Sequence, residues 1–145
     1  MNSPTRILIV EDNPDDEALL MRQLKKAGLH EHVRAIHDGR KALTFLTTKQ
    51  AANENLAAIF LDLHLPGVDG LDLLEAIRAD QRICDIPVIV MTSSNSPDEL
   101  DRCKALGVAN YVQKPLTFSS FAKAFADTFH ARRTSIIPEE RFSAA

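Results

Sequence analysis

The chain lacks the features that define several large classes of protein. Its 145 residues include only two cysteines, Cys84 and Cys103, which are too few for a disulfide framework. The longest apolar run has a few residues, far short of the ~20 that a membrane-spanning helix needs. Residues 1–6 lead into a short strand-like run rather than the apolar core of a signal peptide. We therefore expect no contact with a membrane and a location in the cytoplasm.

Basic residues are not in excess either. Lys and Arg number 17 against 20 Asp and Glu, which gives a formal net charge of −3 at pH 7. Proteins that bind nucleic acid use clustered Lys and Arg to contact phosphates, so direct binding to nucleic acid is not expected. With 45% hydrophobic and 26% charged residues, the composition is that of one globular domain.

What the sequence does contain is an alternation of short apolar runs and helical patterns. Four runs are rich in β-branched residues without polar alternation, as is typical of buried strands in a parallel sheet. They are Ile7–Val10, Ala57–Leu61, Val88–Met91 and Tyr111–Val112, and a fifth, weaker run, Val33–Ile36, suits a strand nearer an edge. Apolar residues at helical spacing follow each run. The pattern predicts an α/β fold, with a doubly wound five-stranded parallel sheet in the order 2-1-3-4-5 flanked by five helices.

The end of the chain departs from this alternation. The last helix carries a stripe of phenylalanines and should end near Arg132 and Arg133. We therefore divide the chain into a domain at residues 5–131 and a C-terminal extension at residues 132–145. The extension contains Ile136, Ile137 and Phe142, which would be unfavourably exposed unless they packed against something. We expect this arm to cross a twofold axis, which predicts a homodimer.

Carboxylates are concentrated where the predicted strands end. Glu11 and Asp12 follow strand one, Asp62 follows strand three, and these strands are neighbours in the predicted order. Two like charges ~4 Å apart repel by about 4 kcal/mol at an effective dielectric constant of ~20. Such a cluster needs a cation, a bound proton or Lys114, which follows strand five. Oxygen ligands without His or Cys favour Mg²⁺.

The same residue types suit phosphoryl chemistry. A carboxylate beside a metal ion and an ammonium group is a candidate nucleophile that could form an aspartyl-phosphate. Lys114 would neutralise phosphoryl oxygens, and the hydroxyl of Thr92, at the end of strand four, could donate a hydrogen bond to one of them. Asp15 and Asp16 lie at the start of the first helix. We interpret them as residues that interact favourably with the helix dipole and increase solubility.

Four short motifs at these strand ends resemble the receiver domain of two-component response regulators. They are residues 7–13 (ILIVEDN), 60–70 (FLDLHLPGVDG), 90–93 (VMTS) and 111–115 (YVQKP). The resemblance covers about residues 5–131 and implies a flavodoxin-like fold with Mg²⁺ as cofactor. Within that family, the chain is similar to the small stand-alone regulators that partner phytochrome-type histidine kinases.

The resemblance also implies a role for each site residue. Asp62 would be the phosphoacceptor, with Thr92 and Lys114 in contact with the phosphoryl group. Thr92 and Tyr111 would be the switch residues that change conformation on phosphorylation. The implied metal ligands are Glu11, Asp12, Asp62 and the backbone carbonyl of His64.

The expected function is a switch in a two-component phosphorelay. Asp62 would accept a phosphoryl group from a sensor histidine kinase, and the change would alter contacts with a downstream protein or phosphotransfer protein. Such a chain takes part in its own phosphorylation and dephosphorylation without being a turnover enzyme. One alternative is a phosphohydrolase of the haloacid-dehalogenase type, although His64 replaces the second Asp of its Asp-x-Asp motif. The other is a flavin or nucleotide binder, although acids after strand one would repel its phosphate.

Overall fold

Within residues 6–48 and 56–132, which the computed structural model describes, the chain forms five strands and five α-helices. The strands are β1 (Ile7–Val10), β2 (Val33–Ile36), β3 (Ala58–Asp62), β4 (Val88–Thr92) and β5 (Asn110–Gln113). The helices are α1 (Pro14–Lys26), α2 (Gly39–Leu46), α3 (Gly70–Ala79), α4 (Pro97–Ala105) and α5 (Phe118–Arg132). A short 3-10 helix, His30–His32, precedes β2.

The strands form one parallel sheet in the order β2-β1-β3-β4-β5, which confirms the predicted fold class. Three strands, β3, β4 and β5, continue one residue past the end of their apolar runs, because the backbone pairing continues there. Asp62 is thus the last residue of β3 and pairs with Met91, and Thr92 is the last residue of β4 and pairs with Gln113. Both polar residues therefore belong to the rigid sheet.

Helices cover both faces of this sheet. Successive side chains of a strand point to opposite faces, so each central strand contributes to two apolar layers. The layer against α1 and α5 includes Ile7, Ile9, Phe60, Leu20, Leu24, Phe121 and Phe125. The layer against α2, α3 and α4 includes Leu8, Val10, Leu61, Leu46, Leu74 and Cys103. All four residues of β2 are only half-buried, as expected for a strand at the edge.

Side-chain caps fix where the helices begin. The side chains of Asn13, Asp38, Asp69 and Ser96 each accept a backbone N–H from the first turn of α1, α2, α3 and α4, respectively. Since each cap follows the end of a strand or its loop, these helices start near the carboxyl edge of the sheet. The loops between strand ends and caps therefore surround that edge.

Gly70 brings the start of α3 against the end of β3. Its backbone N–H donates to the carbonyl oxygen of Leu63 at 3.0 Å. A Cβ atom at this position would lie 2.4 Å from the Cα atom of Leu63. Only glycine permits this approach, which fixes the backbone immediately after Asp62.

The aromatic stripe of α5 packs on the centre of the sheet. The rings of Phe121 and Phe125 stack on Phe60, with ring centroids 6.0 and 6.2 Å away. The side chains of the other two members, Phe118 and Phe129, lie outside the described residues. Residues 133–145 also lie outside them, so the domain boundary, the arm and the homodimer stay predictions.

Among the described residues, no helix combines the length and the apolar character needed to cross a lipid bilayer.

Candidate functional site

Strand register brings the predicted site residues to one edge of the sheet. Val10 pairs with Leu61 on the neighbouring strand, so Glu11 and Asp62 follow these two residues side by side. Thr92 ends the next strand along. Lys114 follows β5, and its backbone N–H donates to the carbonyl oxygen of Thr92 at 2.7 Å. The peptide bond between Lys114 and Pro115 is cis.

Three carboxylates meet at this edge. Glu11, Asp12 and Asp62 each offer one oxygen, and the three oxygens lie within 4.8 Å of one another. Glu11 and Asp62 are buried, with exposed fractions of 1% and 4%, whereas Asp12 is exposed. The backbone N–H of His64 donates to Oδ1 of Asp62 at 3.0 Å. This set of hard oxygen donors fits Mg²⁺, which pairs one or two carboxylates with waters and phosphate oxygens.

Lys114 supplies the positive charge of the site. Its Nζ atom lies 2.7 Å from Oε1 of Glu11, 2.8 Å from Oδ2 of Asp16 and 3.2 Å from Oδ2 of Asp62. Burial alone would lower the pKa of this ammonium group. The hydrogen bonds to Asp16 and Glu11, together with the charge of Asp62, outweigh that effect and raise the pKa above its ordinary value. Lys114 is therefore charged at physiological pH.

Glu11 is the carboxylate that its surroundings perturb most clearly. The pKa of Glu11 is raised from 4.5 to about 7, chiefly by burial and then by its hydrogen bond with Asp62. Hydrogen bonds from Lys114 and from the backbone N–H of Asn13 act in the opposite direction. Near neutral pH, Glu11 therefore holds a proton part of the time when no cation is bound.

This perturbation predicts how the stability of the metal-free protein depends on pH. The folded state binds the Glu11 proton more tightly than the unfolded chain, whose carboxyl titrates near 4.5. The free energy of unfolding should therefore fall as pH rises from about 5 to about 8, by at most ~3 kcal/mol at about 1.4 kcal/mol per pKa unit. Urea denaturation with a chelator present, at several pH values, measures this loss.

The Glu11→Gln variant is the matched control, because glutamine keeps the shape of the side chain but does not titrate. Its free energy of unfolding should change less with pH over the same range. Equal slopes in the parent protein and the variant would contradict the assignment to Glu11. Lys114 does not contribute in this window, since its pKa is raised from an already high value.

Thr92 and Tyr111 meet at a further carboxylate, that of Glu99. The hydroxyl of Thr92 donates to Oε1 of Glu99 at 2.9 Å, and the hydroxyl of Tyr111 lies 3.3 Å from the same oxygen. The second oxygen of Glu99 lies 3.3 Å from Nε2 of His64. Burial, followed by the charge of Glu99 and its hydrogen bond, raises the pKa of the Tyr111 hydroxyl. The two predicted switch residues thus share one acceptor.

An open cleft of about 440 Å³ lies above the carboxylates. Most of the side chains that line it are charged or polar, which suits a small, hydrated anion with a cation. The lining residues are Asp12, Asn13, Asp16, Asp62, His64, Ser93, Lys114 and Pro115. The predicted phosphoacceptor and the predicted lysine therefore face the same accessible space.

Sequence reasoning missed two residues of this site. The interpretation of Asp16 as a helix-dipole residue is incomplete, because its side chain also binds Lys114. The available signal was its place in the first turn of α1, four positions after Asp12. Glu99 had a weaker signal, since it is one of two acids in the first turn of α4 and only the fold brings it to Thr92.

Comparison with known proteins identifies the family. The family model of the response regulator receiver domain matches residues 7–126. The chain belongs to this family. This membership confirms the predicted resemblance and argues against the two alternatives, the phosphohydrolase and the flavin or nucleotide binder, which belong to other families. Receiver domains generally bind Mg²⁺ at an acidic pocket, and this receiver domain has an acidic cluster at the carboxyl edge of its sheet.

Individual relatives resemble this receiver domain along most of its length. It is 36% identical over 121 residues to the probable methanogenesis regulatory protein FilR2 of Methanothrix harundinacea, which covers 83% of this chain and 78% of that protein. The structure of the bacteriophytochrome response regulator AtBRR is 38% identical, with a TM-score of 0.71 and coverages of 86% and 92%. That of the phosphorylated cyanobacterial phytochrome response regulator RcpA is 28% identical, with a TM-score of 0.75 and coverages of 93% and 99%.

Proposed function

We propose that this receiver domain accepts a phosphoryl group on Asp62 from a histidine kinase and thereby changes its contacts with other proteins. The observation that carries the proposal is the setting of Asp62. Its carboxylate lies 3.2 Å from the Lys114 ammonium group, inside the acidic cluster and below an open cleft. A doubly charged phosphoryl group can reach the carboxylate there and meet positive charge beside it.

Asp62 is the best placed nucleophile of the three clustered carboxylates. The backbone N–H of His64 holds its Oδ1 atom, and its Oδ2 atom lies beside Lys114. Glu11 is less suitable, because its raised pKa leaves it partly protonated. Asp12 is exposed, which suits a residue that binds a hydrated cation. Glu11, Asp12 and Asp62 would hold Mg²⁺, whose charge would stabilise the phosphoryl oxygens.

The transfer is a substitution at phosphorus. An oxygen of Asp62 forms a bond to the phosphorus atom, and the bond from phosphorus to the histidine nitrogen of the kinase breaks. The imidazole leaves with the electron pair of that bond, neutral because its other nitrogen already carries a proton. With acetyl phosphate as donor, acetate leaves instead. Later attack by water returns the Asp62 carboxylate and free phosphate, so the protein is a reversible switch rather than a turnover enzyme.

The proposed kinase is of the phytochrome type. The support is similarity to response regulators whose own names place them with bacterial and cyanobacterial phytochromes. The output would pass through contact with a downstream protein or a phosphotransfer protein in the cytoplasm. A second copy of the chain is a further proposed partner, on the basis of the apolar residues predicted to form the arm.

Intact-mass measurement after treatment with acetyl phosphate tests this function. With Mg²⁺, the protein should gain the mass of one phosphoryl group per chain. With a chelator, the reaction should be on the order of 100-fold slower, because the charge of the cation contributes several kcal/mol. The adduct should be lost in alkali or hydroxylamine, as an acyl phosphate is. An unmodified protein, or an alkali-stable adduct, would contradict the proposal.

A further inference from the structure

Glu99 holds a largely buried carboxylate in the first turn of α4. The hydroxyl of Ser96 caps this helix by accepting the backbone N–H of Glu99 at 3.4 Å. The Glu99 side chain is only 12% exposed, whereas the adjacent Asp98 is exposed. A buried carboxylate requires compensating donors, so its contacts are part of the structure around it.

The groups that approach this carboxylate come from three separate parts of the site. Thr92 lies at the end of β4, Tyr111 lies on β5 and His64 lies in the loop after β3. Thr92 and Tyr111 approach one oxygen of Glu99, at 2.9 and 3.3 Å, and His64 approaches the other at 3.3 Å. One side chain thus connects the residue beside the phosphoacceptor to the aromatic residue of β5.

The hydrogen bond from Thr92 limits what else its hydroxyl can do. A hydroxyl has a single proton to donate, and that of Thr92 is directed at Glu99. Its oxygen in turn accepts the backbone N–H of Ser94 at 3.1 Å. Thr92 therefore cannot donate to a phosphoryl oxygen on Asp62 until it releases Glu99. The two acceptors, a carboxylate and a phosphoryl group, compete for one proton.

We propose that Glu99 is a positioning residue that holds Thr92 and Tyr111 in the conformation of the unphosphorylated protein and releases both when the phosphoryl group takes Thr92. This inference rests on the proposed phosphorylation of Asp62. Because both hydroxyls approach the same oxygen, loss of the Thr92 hydrogen bond frees the carboxylate to move and weakens its hold on Tyr111, whose hydroxyl also lies 3.3 Å from the carbonyl oxygen of Ser94. Glu99 thereby opposes phosphorylation of Asp62 and couples that reaction to the conformation of Tyr111 on β5.

Binding of beryllium fluoride, a mimic of the phosphoryl group, tests the competition. The parent protein, Glu99→Gln, Glu99→Ala and Asp98→Asn are titrated with it in the presence of Mg²⁺, and binding is followed by amide resonances around Asp62. The apparent dissociation constant should fall about tenfold in Glu99→Ala, since a hydrogen bond to a charged acceptor no longer has to be broken. Glu99→Gln should lie between this variant and the parent protein.

Asp98→Asn is the matched control, because it removes the same charge from the same helical turn but from an exposed side chain. Its dissociation constant should stay within about twofold of the parent value. If the Glu99 variants bind no more tightly than the parent protein, the inference is overturned. If the parent protein itself fails to bind beryllium fluoride, the proposed function fails instead. Glu99→Gln keeps the shape of the side chain, so it can take the place of Glu99→Ala in this test if Glu99→Ala does not fold.

Ionisation of Tyr111 provides a second readout, which needs neither metal nor phosphoryl mimic. Tyr111 is the single tyrosine and the chain has no tryptophan, so its ultraviolet absorbance can be titrated directly. Removing Glu99 should lower the pKa of this hydroxyl, because the Glu99 charge and hydrogen bond help to raise it. Asp98→Asn should leave it unchanged. An unchanged titration in both Glu99 variants would overturn the link to Tyr111.

Discussion

The Asp62→Asn variant should gain no phosphoryl group from acetyl phosphate under conditions that modify the parent protein fully. An amide is not a nucleophile toward phosphorus, so the loss should be complete rather than partial. Asparagine has the same shape as aspartate, and its side-chain oxygen can still accept the backbone N–H of His64 that now binds Asp62. The variant should therefore fold, and the loss is measured by intact mass.

Asp72→Asn provides the comparison for this experiment. Asp72 is an exposed carboxylate in the first turn of α3, ten residues along the chain from Asp62. Its replacement should leave both the rate and the extent of modification unchanged. An adduct of equal size in Asp62→Asn would mean that another residue is the acceptor. Peptide mapping would then locate it.

The Gly70→Ala variant should lose about 3 kcal/mol of unfolding free energy. The added Cβ atom would lie 2.4 Å from Cα and 2.6 Å from the carbonyl oxygen of Leu63, and backbone atoms cannot rotate away as a side chain can. Either α3 or the end of β3 must move. Urea denaturation of the two proteins at the same pH measures the loss.

Gly67→Ala separates steric conflict from conformational strain. Gly67 has a φ of +87°, yet a Cβ atom there would meet its nearest neighbour only at 3.9 Å. Its replacement should cost about 1 kcal/mol, the usual penalty for a side chain in the left-handed region. Equal losses in the two variants would show that the contact with Leu63 is not the reason for glycine at position 70.

The fold was predictable because local and long-range signals agree. The apolar runs are short and β-branched, and capped helix starts such as Asn13–Pro14 follow them closely, so the connections between parallel strands are well defined. The apolar runs alone do not mark where the strands end. Asp62 and Thr92 belong to strands although they are polar, because their backbone pairing with Met91 and Gln113 continues the ladder.

The site was predictable to the extent that it depends on strand ends alone. Glu11, Asp62 and Lys114 meet because parallel strands end at one edge, and any sequence with this order of strands would bring them together. The contacts of Asp16 and Glu99 depend on side-chain conformations at helix starts. Asp16 and Lys114 are 98 positions apart in the sequence, so no local sequence pattern could indicate that they are in contact.

The raised pKa of Glu11 was also beyond prediction from sequence. Its cause is burial, with an exposed fraction of 1%, and burial depends on the packing of residues that are remote in the chain. The neighbouring Asp12 has the same chemistry and nearly the same position, yet it is exposed. Packing thus buries one of two adjacent acids and leaves the other exposed.

Because Gly70 packs closely against Leu63, the two sides of the cleft differ in how firmly they are held. On the β3 side, backbone groups hold the chain directly after the acceptor, because the carbonyl oxygen of Leu63 accepts from Gly70 and the amide of His64 donates to the Asp62 carboxylate. On the β4 side, the corresponding restraint is a hydrogen bond between two side chains, for which another acceptor can substitute. When that hydrogen bond is replaced, α4 and β5 should therefore move, while the β3 side of the cleft should keep its position.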